Sequence, residues 1–404
     1  VNDHDHVNVR GNDHVNVHVH DHDHGMAASL ATPRCYSLTM IRLPVVSSRM
    51  ATYDALAVVP PTPAGFGANG LPALTDSRGR RYTYARISLT DRCDMACVYC
   101  MPPGGEDEHA VRNELMSFEE VARLVQVLSA MGVTRVRFTG GEPLVRKDIV
   151  RLVALTHRRA PQVELVMTTN GSRLAELAAP LREAGLRGVN VSIDSLDPDR
   201  FAEITRGGSL PAVLAGLHAA RAAGLRLKTN TVAMRGQNDH ELAALVRFAW
   251  SLGATPRFIE LMPLGEGANL PAAMRMTRAD VEAVLGDLLA PQGSEDGLGG
   301  LDQGPARYTP ARDEPSQQVG FITPLSSTFC DSCNRIRLTA RGDLRSCLAS
   351  RSALSLRDIL RAGGSDADVA WALGNALGQK GEGHGFLNAH ETEHTHVGMS
   401  LIGG

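Results

Sequence analysis

Short β-like segments alternate with helical segments from about residue 84 onward, and this alternation constrains the fold more than any other feature of the chain. The helical stretch SFEEVARLVQVLSAMG, for example, has a capping box formed by Ser117 and Glu120 and a stop signal at Gly132. Repeated strand and helix units predict parallel strands joined by right-handed crossovers. The six predicted strands begin near Tyr84, Val133, Val163, Val189, Arg226 and Arg257.

Four of these strands carry a polar face as well as an apolar one. Parallel strands are normally apolar on both faces, because helices cover both. A face with Arg, Lys, Asn, Asp and Ser on strand after strand is too costly to bury without partners. The pattern predicts a lumen that holds a polar, anionic ligand at the C-terminal ends of the strands; an error of one residue in the strand registers is the alternative. The polar positions are Arg86, Ser88, Arg135, Arg137, Thr139, Asn190, Ser192, Asp194, Arg226, Lys228 and Asn230.

The composition excludes several classes of protein. The chain has 404 residues, 43% of them hydrophobic, and a formal net charge of -3. It is therefore long enough for a substantial core, and it lacks the basic excess that predicts nucleic acid or an anionic membrane as a partner. No apolar run approaches the roughly 20 residues of a membrane-spanning helix, and no signal peptide is recognisable. We expect a cytoplasmic protein.

Residues 1–75 have no core-forming pattern. The opening VNDHDHVNVRGNDHVNVHVHDHDHG repeats Asp, His, Asn and Val, and residues 51–75 are rich in Pro and Gly, as linkers are. His-rich tracts can bind metal, but this segment predicts a disordered tail and linker. Met26, Met40 and Met50 all follow the His-rich run, which suggests that the run is translated from upstream of the true start.

Six of the seven cysteines form two sets of three, and the seventh, Cys35, lies in the tail. The first cysteine set, in ISLTDRCDMACVYCMP, has the spacing CxxxCxxC directly after the first predicted strand. Clustered thiols in a reducing compartment are more often metal ligands than disulfides. Three thiolates can each hold one iron of a four-iron cluster and leave the fourth iron open to a small molecule. A zinc site completed by a distant His or Asp is the alternative. The set consists of Cys93, Cys97 and Cys100.

The second cysteine set lies in FCDSCNRIRLTARGDLRSCL and has no histidine nearby. The same argument predicts a second cluster with an open iron, and a structural zinc knuckle is the alternative. The segment predicts a hairpin that turns at residues 341–342. On its first strand Arg335 and Arg337 would share a face with Cys333, and arginine suits forked recognition of phosphate or a polar heterocycle. The set consists of Cys330, Cys333 and Cys347.

Two markers of the first region resemble the radical S-adenosylmethionine (SAM) enzymes: CxxxCxxC with an aromatic residue before the last Cys, and GGEP at residues 140–143. With the second cysteine set, the RxR that follows it and the terminal MSLIGG, the chain resembles the GTP 3',8-cyclases of molybdenum cofactor biosynthesis from about Tyr84 to Gly404. The resemblance implies an α/β fold, an incomplete (β/α)6 TIM-like barrel over residues 80–300. A C-terminal α+β region over residues 301–404 would carry the second iron–sulfur cluster and a Gly-Gly tail.

The resemblance also implies an activity. A 5'-deoxyadenosyl radical made from SAM would convert GTP to (8S)-3',8-cyclo-7,8-dihydroguanosine 5'-triphosphate. Two 4Fe-4S clusters and SAM would be the cofactors, and a low-potential electron donor would be required. The product would pass to a cyclic pyranopterin monophosphate synthase, and either a monomer or a homodimer is compatible. The alternatives are a radical SAM enzyme that modifies a peptide and a non-catalytic zinc or electron-transfer module.

Matching the motifs of that family assigns roles to individual residues. The first cysteine set would hold the catalytic cluster and the second set the auxiliary one. Two arginines, Arg335 and Arg337, and the tail glycines Gly403 and Gly404 would act in catalysis. The SAM contacts would be Tyr99, Gly141, Ser192 and Met262. The GTP contacts would be Arg86, Arg137, Thr168 in preference to the adjacent Thr169, Lys228, Arg335, Ile336 and Arg337.

Overall fold

The structure, a computed structural model, describes residues 71–105, 109–291, 297–298, 304–350, 354–383 and 399. All of these lie in the larger of the two units into which the chain divides, Val59–Gly404. The predicted His-rich tail and the predicted tail glycines Gly403 and Gly404 lie outside the described residues.

The described strands form one twelve-stranded sheet in the order β12-β11-β10-β1-β2-β3-β4-β5-β6-β9-β8-β7. Its centre, β1 to β6, is parallel and follows chain order, and each of these strands begins within about two residues of its predicted start. The strands are β1 Tyr84–Ser88, β2 Arg135–Thr139, β3 Glu164–Thr169, β4 Gly188–Ser192, β5 Arg226–Ala233, β6 Thr255–Glu260, β7 Gly297–Leu298, β8 Arg307–Pro310, β9 Gln318–Ile322, β10 Arg335–Leu338, β11 Asp343–Arg345 and β12 Leu354–Ser355.

Helices fill the connections between the parallel strands, which confirms the predicted β/α alternation. The first helix has the predicted capping box of Ser117 and Glu120, and Gly132 follows its end with φ +98°. A positive φ suits glycine, which has no Cβ to clash. The helices are α1 Phe118–Ala130, α2 Ile149–Arg159, α3 Leu174–Glu183, α4 Pro198–Thr205, α5 Leu210–Ala222, α6 Leu242–Ser251, α7 Glu266–Asn269, α8 Arg278–Leu285, α9 Leu356–Arg361 and α10 Asp366–Gly378.

The register of the sheet sorts apolar and polar side chains as the alternation predicts. Ile87, Phe138 and Val189 belong to the hydrophobic core, where each is at most 1% exposed. On the intervening positions, Arg86 pairs in register with Arg137. Because successive strand residues point to opposite faces, these arginines lie on the face opposite the core.

Strands from the C-terminal part of the chain extend both edges of the parallel centre. On one edge β9 pairs with β6, and on the other β10 pairs with β1, both in parallel. The predicted hairpin is present: β10 and β11 are antiparallel, and Gly342 in their turn has φ +86°. The domain boundary at residue 300 stays a prediction. The second cysteine set follows β9 in sequence and lies on both sides of the β10–β11 hairpin. Because β10 pairs with β1, this set is brought next to β1.

A short hairpin precedes β1, and we call residues 74–82 the N-terminal hairpin. Thr75 and Arg81 form an antiparallel bridge, and Leu74 is 1% exposed with its amide bonded to the carbonyl of Met131 at 3.2 Å. The hairpin therefore includes the last residues that the sequence assigned to the linker. Among the described residues, no helix has the length and apolar character needed to cross a membrane.

Candidate functional site

The first cavity, of about 1100 Å³, lies at the C-terminal ends of the parallel strands. All three thiols of the first cysteine set line it, together with the GGEP segment after β2. Polar residues at the ends of β3 to β5 complete the wall. In parallel β/α folds this is the end where ligands bind, because the loops that follow the strands converge there.

The loop that carries the first cysteine set is held by the end of α4. The amides of Ala96 and Val98 donate to the carbonyls of Thr205 and Ile204 at 3.1 and 2.9 Å. Arg206, which follows α4 with φ +53°, donates to the carbonyl of Met101 at 2.6 Å. These bonds satisfy the loop's backbone without regular secondary structure, so the thiols are fixed by neighbouring elements.

The GGEP glycines are required by packing against this same loop. A Cβ on Gly141 would lie 2.4 Å from the carbonyl oxygen of Arg92, and one on Gly140 would lie 2.6 Å from that of Thr90. The amide of Gly141 donates to the Thr90 carbonyl at 2.7 Å. Glycine therefore allows the backbone of this segment to pack closely against the cysteine loop. Gly141 also lines the first cavity.

Three buried carboxyl groups, those of Glu142, Asp194 and Glu260, give the first cavity an acidic wall. Glu142 accepts from the amide of Asn170 at 2.6 Å and from Thr169 at 2.7 Å, and burial raises its pKa to about 7. Asp194 accepts from the Tyr99 hydroxyl at 2.6 Å, and burial raises its pKa to about 6 despite that hydrogen bond. Among the described residues that line this cavity there is no Lys, Arg or His. The cavity therefore suits a cationic ligand.

The second cavity, also of about 1100 Å³, has the opposite electrostatic character. It is lined by the whole second cysteine set and by five arginines, and none of its described lining residues is acidic. Burial, with the charge of Arg335 beside it, lowers the pKa of Arg337 to about 10. Guanidinium groups gathered without carboxylates favour an anionic ligand. The five arginines are Arg86, Arg137, Arg257, Arg335 and Arg337.

Hydrogen bonds orient the guanidinium groups in the second cavity. Arg137 donates to the carbonyl of Met167 at 3.0 Å, to the Thr168 hydroxyl at 3.2 Å and to the phenol of Tyr84. Burial alone would raise the pKa of Tyr84, but the charges of the neighbouring arginines, Arg137 first, outweigh it and lower that pKa to about 8. Arg257 donates to the Asn230 side-chain carbonyl at 2.5 Å.

The cysteine sets differ in their electrostatic surroundings. In the first set, burial raises the pKa of Cys93 to about 12 and that of Cys97 well above its usual range. In the second set, burial is outweighed by Arg335 and Lys380, which lower the pKa of Cys333 to about 7. The shortest contacts of that thiol with the two cations are 3.8 Å to Arg335 and 3.5 Å to Lys380.

The thiol arrangement fits an iron–sulfur cluster better than a single metal ion. Within the described ranges, no three His, Cys, Asp or Glu side chains converge closely enough to hold one ion. Each cysteine set nevertheless faces one cavity as a group of three. In a cubane each thiolate binds a different iron, so its ligands need to surround a space larger than a single ion.

The two cavities meet in the middle of the sheet. Five residues line both of them: Thr168, Asn230, Ile259, Met262 and Met399. Met399 begins the terminal MSLIGG, so the described start of that segment lies between the cavities. A ligand in the first cavity and one in the second would therefore be separated only by this shared wall.

Of the predicted site residues that the structure describes, all but two line the first or the second cavity. Lys228 lines a third cavity of about 910 Å³ and donates to the hydroxyl of Tyr308 at 2.9 Å. Ile336 is 0% exposed and packs in the core. The predicted SAM contacts Tyr99, Gly141, Ser192 and Met262 all line the first cavity, and the second is lined by Arg86, Arg137, Thr168, Arg335 and Arg337. Thr169 lines only the first cavity, which supports the choice of Thr168.

Sequence reasoning missed several residues of the site. Arg257 lines the second cavity, and the alternation in TPRFIE could have identified it had a face been assigned to that strand. Glu142 belongs to the GGEP segment, but its sequence alone gives no sign of the hydrogen bonds that its carboxylate makes. Lys380 had no signal at all, because its position depends on how a helix far along the chain packs against the cysteines.

Comparison with known proteins gives two family models that together cover most of the chain. Residues 87–249 match the model described as the radical SAM superfamily, and residues 254–386 match the model described as Molybdenum Cofactor Synthesis C. The boundary between the matches lies just before β6.

Two similar curated proteins carry the same name. A GTP 3',8-cyclase of Rhodopseudomonas palustris (strain TIE-1) is 42% identical over 360 residues, which is 86% of this chain and 99% of the relative. A GTP 3',8-cyclase of Paracoccus denitrificans (strain Pd 1222) is 44% identical over 318 residues, which is 78% of this chain and 90% of the relative.

A solved structure with a similar fold is SuiB of Streptococcus suis bound to the precursor peptide SuiA. The TM-score is 0.51 at 15% identity, and the match covers 70% of this chain and 65% of that chain. At this identity the likeness concerns the fold alone, an α/β arrangement around a sheet of parallel strands.

Proposed function

The chain belongs to the GTP 3',8-cyclases, a family of radical SAM enzymes, and from that premise we propose how its two cavities divide the reaction. The family converts GTP to (8S)-3',8-cyclo-7,8-dihydroguanosine 5'-triphosphate, the first step of molybdenum cofactor biosynthesis. In our proposal the first cavity takes SAM and the second takes GTP. The shared wall is the place where the two react.

The opposite charges of the two cavities carry this proposal. SAM has a sulfonium and an ammonium group, which suit a wall that contains Glu142 and Asp194 and no described basic residue. The triphosphate of GTP suits a wall of five arginines without a described acidic residue. Charge complementarity of this kind favours the correct ligand and penalises the wrong one in each cavity.

The residues of the first cavity have binding and orienting roles. The first cysteine set would hold a 4Fe-4S cluster, which together with SAM supplies the 5'-deoxyadenosyl radical that removes the 3' hydrogen of GTP. Glu142, held by three hydrogen bonds, presents a fixed carboxylate to the ammonium group. The Tyr99 to Asp194 hydrogen bond keeps that phenol against the wall, and Met262 separates the two cavities.

The residues of the second cavity neutralise and position the nucleotide. Arg86, Arg137 and Arg337 would contact the phosphates or the base, and Thr168 holds Arg137 in place. The hydrogen bonds of Arg137 orient its guanidinium group before the nucleotide binds. Preorganised groups of this kind reduce the free-energy cost of ordering side chains on binding. The second cysteine set would hold the auxiliary cluster at the guanine end of GTP.

We use the word chamber for the first and second cavities together. The fold that we infer around this chamber is an incomplete (β/α)6 TIM-like barrel closed by a C-terminal cluster region. The parallel order of β1 to β6 and the additional strands on both of its edges support that inference. The predicted entry of Gly403 and Gly404 into the active site is supported by Met399, which lines both cavities.

Anaerobic reconstitution with iron, sulfide, SAM, GTP and a low-potential reductant tests the proposal, with the products identified by mass spectrometry. We expect 5'-deoxyadenosine and the cyclised triphosphate in equal amounts. The Cys100→Ala variant should form neither. Formation of 5'-deoxyadenosine with a peptide panel but not with GTP would instead favour a peptide-modifying enzyme.

Metal analysis separates the enzyme from a zinc or electron-transfer module. We expect close to eight irons and acid-labile sulfides per chain, as two four-iron clusters require. About one zinc without sulfide would contradict the proposal. We further propose that the enzyme works in the cytoplasm with an external low-potential electron donor and supplies a cyclic pyranopterin monophosphate synthase.

A further inference from the structure

A buried lysine lies against the second cysteine set. Lys380 follows α10, is 7% exposed, and places its Nζ 3.5 Å from Sγ of Cys333 and 3.5 Å from the carbonyl oxygen of Arg335. These two atoms are its only hydrogen-bond partners within the described part of the chain. Lysine is almost never buried unless its charge is compensated. The group placed to compensate it here is the sulfur of Cys333, which would carry negative charge as a ligand of a cluster.

Aromatic and backbone contacts hold Lys380 in this position. Its Nζ lies 4.6 Å from the ring centroid of Tyr82, which is fully buried, so the cation also meets the negative face of an aromatic ring. The amide of Lys380 donates to the carbonyl of Leu377 at 3.0 Å, which fixes the residue at the end of α10. The side chain therefore has little freedom to turn away from the sulfur.

The N-terminal hairpin clamps the segment that carries Lys380. Arg80 donates to the carbonyl of Gly381 at 3.0 Å and to that of Cys330 at 3.0 Å. Asp76, buried beneath it, accepts from Arg80 at 2.5 Å and from the Tyr82 hydroxyl at 2.7 Å. One network thus joins the hairpin before β1, the end of α10 and the second cysteine set.

Cys93 of the first cysteine set is bonded by neutral groups instead of a cation. Sγ of Cys93 accepts from the amide of Met95 at 3.4 Å and from the Asn170 side-chain amide at 3.8 Å, both neutral donors. Hydrogen bonds and positive charge near the sulfurs make an iron–sulfur cluster easier to reduce. The contrast between the described surroundings of Cys93 and Cys333 therefore predicts that the two clusters differ in reduction potential.

We propose that Lys380 is a positioning residue that raises the reduction potential of the second cluster through its contact with Cys333. The proposal rests on the assignment of a cluster to the second cysteine set. It goes beyond the proposed function by assigning a role to a residue that lines neither of the two cavities, and by including the N-terminal hairpin in the architecture of that cluster.

The test uses a parent protein in which Cys93, Cys97 and Cys100 are all replaced by Ala, so that the second cluster is the one observed. Lys380→Met removes the charge and keeps the length, Lys380→Arg keeps the charge, and Lys147→Met is a control at an exposed lysine. Each anaerobic protein is analysed for iron and sulfide, and its cluster is titrated with reductant while electron paramagnetic resonance is recorded.

We expect Lys380→Met to make the potential more negative by at least a tenfold change in the reduction equilibrium, about 59 mV for one electron. In Lys380→Arg and Lys147→Met the reduction equilibrium should stay within a threefold change of that of the parent protein. An unchanged potential in Lys380→Met, or an equal shift in Lys380→Arg, would overturn the proposal.

Should Lys380→Met bind fewer than four irons, Lys380→Gln carries the same comparison, because it keeps a hydrogen-bond donor without the charge. A more negative reduction potential in Lys380→Gln but not in Lys380→Arg supports the proposal. Equal potentials in these two variants overturn it. A parent protein that binds no iron contradicts the assignment of the second cluster itself. An iron-replete parent with no response to Lys380 contradicts this inference alone.

Discussion

Individual side chains in this protein are sorted by charge between two adjoining cavities. The sequence predicts part of this sorting, because Arg86 and Arg137 alternate with buried apolar residues on their strands. It does not predict that Glu142 and Asp194 would share the other cavity, since they come from loops whose paths depend on tertiary packing. Alternation identifies a polar face, whereas the division of that face into two sites requires the three-dimensional arrangement.

Arg337 provides a test of the anionic site at the scale of one residue. Replacing it by Met removes a half-buried guanidinium from the second cavity. We expect cyclisation of GTP to fall at least about 30-fold, the lower end for removing one partner of a charged contact with a ligand. Both clusters and the formation of 5'-deoxyadenosine should remain. Arg341→Met, on the turn of the same hairpin with a side chain 43% exposed, is the matched control. Normal cyclisation in Arg337→Met would contradict the site.

Tyr84 should titrate near pH 8, as its pKa of about 8 implies. Its folded-state pKa lies below the ordinary value of 10.0, so the phenolate contributes stability that is present above pH 10 and is lost as pH falls through about 8. The ultraviolet absorbance of tyrosinate measures this step directly. Tyr84→Phe should abolish it, and Arg137→Met should move it to higher pH. If the absorbance step near pH 8 is unchanged in Tyr84→Phe, another tyrosine must be its source.

Secondary-structure elements were predicted well where the signal is local. The capping box of α1, the start of each parallel strand and the turn at Gly342 all follow from residues within one or two turns of the chain. The pairing of β9 with β6 and of β10 with β1 had no such signal. Parallel pairing between strands far apart in sequence depends on the closure of long loops and on side-chain fit, which no short motif encodes.

The contact between the GGEP segment and the cysteine loop can be tested at the scale of these two elements. In Gly141→Ala the new Cβ would lie 2.4 Å from the Arg92 carbonyl oxygen, so we expect a loss of about 1–3 kcal/mol in the free energy of unfolding and a loss of iron from the first cluster. Gly374→Ala, in α10 with open space around it, should instead stabilise by about 0.5–1 kcal/mol. Urea unfolding and iron analysis of both variants give the comparison. Full iron occupancy in Gly141→Ala would show that the loop tolerates displacement.

At the scale of the whole molecule, the sheet brings both cysteine sets next to β1. The first set follows β1 directly, whereas the second reaches the same neighbourhood because β10 pairs with β1 from the other end of the sequence. Residues separated by more than 200 positions therefore build one chamber. The sequence predicts both cysteine sets and their chemistry, but the shared wall between the cavities appears only when the sheet order is known.

Truncation from the N-terminus tests how much of the chain this chamber needs. A variant that begins at residue 71 keeps the N-terminal hairpin, and we expect about eight irons per chain and full activity. A variant that begins at residue 83 loses the buried side chains of Leu74 and Tyr82, each contributing about 1.5–3 kcal/mol, and also the Arg80 contacts with Cys330 and Gly381. It should retain close to four irons, because the first set is held by α4 and by the GGEP segment instead.

Arg80→Met separates the effect of the Arg80 contacts from a loss of overall stability, because it leaves Leu74 and Tyr82 in place. We expect this variant to lose iron selectively from the second cysteine set, with a thermal midpoint closer to that of the full chain than to that of the variant beginning at residue 83. Two intact clusters in the shorter truncation would show that the second set is held without the hairpin. Loss of activity in the variant beginning at residue 71 would instead assign a role to residues 1–70, because the His-rich tail and most of the linker are all that this variant lacks.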